Sequence, residues 1–573
     1  MSVFQYDHTL PVLPIPELAD TCANLKEMTK PLVDHEAWEA TCAAVDSFQQ
    51  ETGFRLQEQL LDWKSEKSGN ASWLRPIWDD VYLAYRDRLP VNMNYTFQLI
   101  PERWGEQPLS KMLHAMCNIL NRMRTEDLPV EKIKETPLSM EALSHMIYTR
   151  IPDTRRDTLY YLPLSAPYTA SVVCKGHWFL LSLTDNEGNI LPINAIQKAL
   201  DGICADAKTL PEAAGVGALT GAKRAEAANL RRELQKNPLN RMNLENIENS
   251  ICVVCLDDMD KNGFVHNLTL GNPANRWFDK SLEILFDGQN LGVNIDHTGC
   301  DAGMWIYLLS LMDEYILNPD SIKINSDAAA HIRHLRWHIT SEFTNQIANA
   351  KQEYLDLVSK ISVTEKKLDV FSRTRLKELK CRPDATAQLL YQAAYYKLTG
   401  RFRSTYEAVS VRAFYQGRTE CVRPCTSAAA DFAKSLVDGT ADNASLIEKF
   451  RVAEQAHMDQ IGRCQKGLGP ERHISGLLTM HAMYADTEAL PTVFDTEGFK
   501  ALKHDAVSTS STTAPYIEYF AFCPVVFDGI GIGYGIKNDA LHIAVAAFAD
   551  STINPQDFID TLDQLANQFF ALF

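Results

Sequence analysis

His297 stands at the end of an alternating run and ahead of a glycine turn, in Leu291–Met304, LGVNIDHTGCDAGM. Imidazole is the side chain that changes charge nearest neutral pH, so a histidine presented to a cleft can take or give a proton. Leu291, Val293 and Ile295 alternate like a half-buried strand, and Asp296-His297-Thr298-Gly299 is the polar run that ends it. A rigid strand end is where a scaffold can hold a reactive side chain towards a cleft. Asp301, four residues on, is near enough to orient the imidazole or balance its charge. On this stretch alone the ordinary reading is a satisfied core or surface histidine.

A second group is basic. Val370–Asp384, VFSRTRLKELKCRPD, places Arg373, Arg375, Lys377, Lys380 and Arg382 within ten positions. Most such runs are solvated helix faces. In a chain this acidic the run can also clamp phosphates through charge-assisted hydrogen bonds. Ser508–Thr513, STSSTT, reads as a polar loop. Cys252 and Cys255 form a CxxC inside the apolar run SICVVCLDD. With no second CxxC or paired histidines near it, a buried strand is expected rather than a zinc or redox site. His177, in the Lys175-Gly176-His177 hairpin turn, is expected to be a turn or strand residue.

The elements that must position these groups are legible in outline. LPVLPIP, residues 10–16, is an extended, proline-punctuated lead. Helical pattern then runs intermittently from Glu17 to about Trp63. In WLRPIWDDVYLAYR, Trp78, Tyr82 and Tyr85 fall on one helical face, ordinarily a core stripe. LPVNMNYTFQLI alternates like a strand, Met112–Arg124 is helical, and Tyr160–Leu183 reads as two strands. Gly215–Thr220 precedes a charged helix, and its glycine pair lacks a full phosphate-loop fingerprint. A long helix is expected over Ser341–Leu368, with Ile347, Tyr354, Leu357 and Ile361 as its apolar stripe.

With 573 residues, the chain can build more than one core. The apolar share of 46% is that of an ordinary globular protein. A formal charge of −17 argues against nucleic acid as a general partner, so an anionic ligand needs a local basic patch. Thirteen scattered cysteines, an odd number, suit a reducing compartment. Signal-peptide, presequence and peroxisomal tripeptide patterns are not recognised, and no apolar run is long enough to span a membrane. The expectation is a cytoplasmic monomer acting on small molecules.

Five stretches together resemble the carnitine/choline acyltransferase family, in the family's order, from Leu10 to about Ala547. Asn275–Gly303 is similar to the family's approach to its active-site histidine. VFSRTRLKELKCRPD resembles its coenzyme A loop, and STYEAVSVRAFYQGRTECVR (Ser404–Arg423) is the most specific match. ERHISGL resembles the family's D-R-H-L-L-G-L, and YFAFCPVVFDGIGIGY (Tyr519–Tyr534) its F-F-G-P-V-V-x-D-G-Y-G.

The resemblance implies an α/β fold of two similar domains, like chloramphenicol acetyltransferase, each a mixed sheet flanked by helices. Residues 69–339 would form the first domain, carrying the histidine. Residues 340–573 would form the second, carrying the coenzyme A and carnitine motifs, with 1–68 packed on it. It implies His297 as general base, Ser510 as oxyanion donor and Asp301 as support for the histidine. Arg373, Lys377 and Asp384 fall on coenzyme A positions, with Arg373 where the family has lysine. Tyr406, Thr419, Arg472, Phe522 and, secondarily, Tyr82 fall at the carnitine site. Thr419 and Arg472 mark carnitine rather than choline, since a guanidinium pairs a carboxylate and a neutral amide does not. Phe520 occupies the position that limits the acyl pocket, which favours acetyl to butyryl groups. Cys523 replaces a family glycine.

The implied reaction is reversible acyl transfer between coenzyme A and the carnitine hydroxyl. Acyl-CoA serves as co-substrate, with no bound cofactor and no metal. Transfer to another amino alcohol or zwitterion, or a non-catalytic binding homologue, are the alternatives.

Overall fold

The protein is described by a computed structural model covering residues 2–68, 71–165, 167–318, 320, 322, 326–484 and 488–573. Residue 69, the expected start of the first domain, lies outside the described residues.

Two mixed sheets flanked by helices organise the chain. The first half supplies β1 (Asn94–Leu99), the short hairpins β2–β3 (Lys132–Ile133, Thr136–Pro137) and β4–β5 (Tyr148–Ile151, Thr158–Tyr161), and β6 (Thr169–Cys174). It also supplies β7 (His177–Ser182), β8 (Val253–Leu256), β9 (Leu282–Phe286), β10 (Leu291–Asp296) and β11 (Ile332–Leu335). The second half supplies β12 (Ile361–Leu368), β13 (Thr405–Ser410), β14 (Thr419–Val422), β15 (Val507–Ser511), β16 (Ile517–Ala521), β17 (Ile530–Ile536) and β18 (Leu541–Phe548).

The larger sheet runs β11-β7-β6-β8-β9-β10-β1-β16 and the smaller β12-β18-β17-β15-β13-β14. Parallel pairs β6/β8, β8/β9, β13/β15 and β15/β17 sit among antiparallel ones. Their apolar faces feed separate cores, one on Phe97, Ile284, Val293 and Trp305, the other on Tyr391, Phe432, Ile532 and Phe558.

β16 departs from chain order. It lies in the second half yet pairs with β1 of the larger sheet, Thr96 opposite Ala521 and Phe97 opposite Phe520. Its backbone also crosses β17. A Cβ on Gly533 would lie 2.1 Å from the Phe520 carbonyl oxygen, so only glycine permits that approach. One strand thereby brings the two sheets together.

Three helices open the chain: α1 (Leu18–Thr29), α2 (His35–Gln50) and α3 (Thr52–Trp63); α4 follows at Leu74–Leu83. Their apolar stripes, with Leu25, Val45, Leu60 and Trp73, share a core with Ile474, Leu477 and Met480 of the helix Pro470–Tyr484.

Two expectations differ from the structure. The helix beginning at Ser341 ends at Val358, and Ile361–Leu368 forms the edge strand β12. ISVTEKKL opens on the β-branched residues Ile361, Val363 and Thr364 and pairs along β18 rather than extending the helix. Ser508–Thr513 is not simply a polar loop, since Val507–Ser511 is a strand between β13 and β17. Neighbouring strands satisfy its backbone, and Thr509 Oγ1 donates to the Tyr406 carbonyl at 2.8 Å. Cys252 and Cys255 are fully buried, Cys255 on β8. The 175–176 turn joins β6 to β7, with His177 opening β7. Among the described residues, no helix is long and apolar enough to cross a membrane.

Candidate active site

His297 is the first residue after β10. Its N–H donates to the Met93 carbonyl at 2.8 Å, which ties the strand end to the segment entering β1. The turn behind it is tightly held. Tyr148 OH donates to Asp296 Oδ2 at 2.6 Å and accepts from the Gly299 N–H at 2.9 Å. Gly299 is required there, because a Cβ would sit 2.4 Å from the Tyr148 ring. Arg150, fully buried, donates to Thr298 Oγ1 at 2.8 Å and to the Tyr82 carbonyl at 2.7 Å, joining the turn to α4.

The imidazole is walled by aromatic rings. Tyr82 stacks on it at 5.7 Å and Tyr95 meets it edge-on at 5.1 Å. Its Nδ1 lies 3.3 Å from Tyr82 OH. Nε2 lies 3.9 Å from Asp301 Oδ1, beyond hydrogen-bond reach. About a third of the side chain, 32%, stays accessible although it lies deep among protein atoms. Burial lowers the imidazole pKa, and nearby Arg418 lowers it further against the opposing pull of Asp301.

Arg418 was not among the residues anticipated from sequence. Its Nε donates to Asp301 Oδ2 at 3.1 Å, Nη1 to the Thr298 carbonyl at 2.8 Å and Nη2 to the His297 carbonyl at 2.9 Å. Burial would raise the Asp301 pKa, but Arg418, His297 and Arg472 together outweigh it and hold the carboxyl below the usual range. The GRTE stretch contains this arginine, but the acid it serves lies 117 residues away. No local spacing reveals that pairing.

The expected acceptor residues converge beside it. Tyr406 on β13, Thr419 at the start of β14 and Arg472 at the start of the helix Pro470–Tyr484 meet in one place. Arg472 Nη2 donates to Tyr406 OH at 2.9 Å and Nε to the Thr419 carbonyl at 3.0 Å. Its backbone N–H donates to Glu420 Oε1 at 3.2 Å. Burial pushes the Glu420 carboxyl up to about 7, against the pull of Arg472. Among the described residues no carboxylate forms an ion pair with the Arg472 guanidinium.

Phe520 and Phe522 lie on and just past β16. Phe520 is buried, 5.3 Å from Phe97 and 6.3 Å from Tyr95 between ring centres, with the half-buried Phe522 at 5.5 Å. Tyr95 therefore touches both His297 and Phe520. Ser510 on β15 is partly accessible, opposite Gly533, and its hydroxyl has no hydrogen-bond partner among the described residues.

The basic residues split. Arg373 opens the helix Arg373–Glu378 and anchors to β17, its Nε donating to the Ile536 carbonyl at 3.2 Å. Lys377 is exposed on the same helix. Arg375 lies over the Phe570 ring at 4.2 Å. Asp384, in the first turn of the helix Pro383–Thr399, turns inward and accepts from Tyr534 OH at 2.7 Å. Gln388 on that helix donates to Thr509 Oγ1 at 2.8 Å, which connects the helix to the strand of Ser510.

Asp384, Glu407 and His457 could hold a cation, since one ligand atom from each lies within 4.8 Å of the others. His457 Nε2 is 3.3 Å from Glu407 Oε2 and 3.8 Å from Asp384 Oδ2. Burial raises the Glu407 carboxyl well above its ordinary value and Asp384 adds to the rise, while Asp384 itself is held low by its hydrogen bonds. Two adjacent carboxyls whose pKa values are pushed apart in this way can share a proton.

The family model described as "Choline/Carnitine o-acyltransferase" matches residues 13–564. Peroxisomal carnitine O-octanoyltransferase of Bos taurus is 30% identical, covering 95% of this chain and 93% of that one. Mitochondrial carnitine O-palmitoyltransferase 2 of Xenopus tropicalis is 26% identical, covering 99% and 92%. Carnitine O-acetyltransferase of Homo sapiens is 27% identical, covering 95% and 90%.

Proposed function

The chain belongs to the choline/carnitine O-acyltransferase family, and from that premise we propose that it moves a short acyl group reversibly between coenzyme A and the hydroxyl of carnitine. The observation that carries the acceptor is Arg472. Among the described residues its guanidinium has no carboxylate partner; it is aimed by Tyr406 and Thr419, and connects through α4 to His297. A zwitterion with a carboxylate at Arg472 and its cationic end against the aromatic rings would present its hydroxyl to the imidazole.

In the proposed reaction His297 is neutral, with its proton assigned to Nδ1, which lies 3.3 Å from Tyr82 OH and 3.4 Å from Arg418 Nη2, and its lone pair on Nε2. Nε2 takes the hydroxyl proton as the oxygen attacks the thioester carbonyl. The Ser510 hydroxyl donates to the oxyanion that forms. The tetrahedral adduct collapses, the C–S bond breaks, and the thiolate recovers the proton from the imidazolium. Asp301, clamped by Arg418, keeps a negative charge near the imidazolium while it exists. Arg373 and Lys377 would meet coenzyme A phosphates. Asp384, its side chain 37% accessible and accepting from Tyr534 OH, would join them at the start of the helix Pro383–Thr399.

Named relatives act on octanoyl, palmitoyl and acetyl groups, so relatedness leaves chain length open. Phe520 packed on Phe97 favours the short end. Thiol release from acetyl-, butyryl-, octanoyl- and palmitoyl-CoA, with L-carnitine or choline as acceptor, tests the whole reading. Fast release with carnitine and the two short donors is expected. Octanoyl-CoA as best donor would overturn the chain-length assignment, and release with choline alone would overturn the role of Arg472.

A further inference from the structure

Two guanidiniums rest on one indole. The Arg472 Cζ lies 4.4 Å from the Trp78 ring centre and the Arg418 Cζ 4.8 Å from it. Tyr82, one turn along α4, stacks parallel to Trp78 at 6.0 Å and 10°. The Tyr82 ring in turn lies 5.2 Å from Arg418 and stacks on His297. Trp78 is 8% exposed and its indole N–H has no hydrogen-bond partner among the described residues. What it offers its neighbours is therefore the ring face.

That choice of partner matters chemically. Arg418 is neutralised by Asp301 and spends its donors on the His297 turn. Arg472 has a different task, since a guanidinium meant for a ligand's carboxylate must be held still without being neutralised. A carboxylate partner would hold it and quench it. A ring face holds a cation through its quadrupole and leaves the charge and the N–H donors free. The same face also lets two like charges share one support.

We propose that Trp78 is a positioning residue: its indole holds Arg472 for the acceptor's carboxylate and Arg418 against the turn of His297, so that one side chain aligns acceptor and base. The inference rests on the reading that Arg472 receives that carboxylate.

The test compares Trp78→Phe and Trp78→Leu in steady-state kinetics with acetyl-CoA and L-carnitine. Phenylalanine keeps a ring face and should stay within about threefold of the unaltered protein in both constants. Leucine should raise the carnitine KM about tenfold and lower kcat, with the acetyl-CoA KM unchanged. In an Arg472→Ala background, Trp78→Leu should add nothing further to the carnitine KM, as for two residues acting through one contact. An unchanged carnitine KM in Trp78→Leu overturns the proposal. So does an equal rise in both substrates' KM, which would mark a general packing defect, or a Phe variant as impaired as the Leu one. If the leucine variant does not fold, a fluorinated tryptophan placed at position 78 keeps the shape and weakens the ring's negative face. It should raise the carnitine KM in the same direction, and no change there overturns the proposal. An unaltered protein that transfers nothing to carnitine would instead sink the functional reading itself.

Discussion

His297 is useful as a base only while it is neutral, and its surroundings favour that form. Burial and the Arg418 cation lower its pKa, while Asp301 only partly restores it. The acid limb of kcat/KM should therefore fall below about pH 6.5, the ordinary imidazole value. His297→Ala should lose at least about a thousandfold in kcat while melting within a few degrees of the unaltered protein. A limb above pH 7, or near-normal turnover in the alanine variant, would remove His297 from the base role. Phe520 makes a separate prediction. Its ring fills the space against Phe97 and Tyr95, so Phe520→Gly should raise kcat/KM for octanoyl-CoA by about tenfold or more over acetyl-CoA. An unchanged donor profile would mean that other residues bound the acyl chain. These residues were singled out through the resemblance of the short blocks that hold them to a known family, since on local pattern alone His297 reads as an ordinary histidine. Arg418 was not, because its meaning depends on Asp301, a partner brought near only by folding. Trp78 was legible only as core, which it also is.

Among the elements, the start of the helix Pro470–Tyr484 bears most directly on the proposed acceptor site. Glu471, buried, pairs with Arg423 at 2.9 Å and Lys503 at 2.8 Å. The next residue is Arg472. The one after it, His473, contacts Thr21 of α1 at 2.7 Å and Gln57 of α3 at 2.5 Å. Three successive side chains thus fix the helix start from both sides. Burial would raise the Glu471 pKa, but Arg423 and then Lys503 pull it far below the ordinary carboxylate value. The stability this adds is fully present above about pH 4.3, the unfolded value, and is lost as pH falls through the folded one. Glu471→Gln leaves buried Arg423 short of one partner and should cost about 3 kcal/mol near neutral pH. In urea melts, the gap from the unaltered protein should narrow as pH drops below about 4. A gap constant across that range would mean that packing, not charge, anchors the helix. Elements with simple periodicity were readable in advance. β15 was not, since serine and threonine favour turns until neighbouring strands claim their backbone. Nor was the end of the helix at Val358, where the apolar spacing of a helix and of a strand overlap at Ile361.

At the scale of the whole molecule, the order of strands in space differs from their order in the chain. A division at residue 339 rests on the resemblance of HIRHLRWHI (His331–Ile339) to the family's link out of the first domain, and it separates β1 from β16. β16 closes the edge of the larger sheet, contributes Phe520 to that sheet's core and crosses the smaller sheet at Gly533. Sequence gave no sign of this, because a five-residue strand carries no mark of which sheet it will join. The consequence is physical. Residues 69–339 produced alone would leave the paired edge of β1 open and remove a buried phenylalanine from beside Phe97. An open edge of that kind recruits other chains. The isolated segment should therefore be insoluble or aggregated, and adding residues 340–573 in trans should recover soluble material only when β16 is included. Size-exclusion chromatography of the segment, with and without the second piece, reads this directly. A soluble, folded monomer of 69–339 would show that the larger sheet is complete without β16. Phe520 would then reach the site as a visitor from the second half, and the acyl pocket would be assembled only when the halves meet.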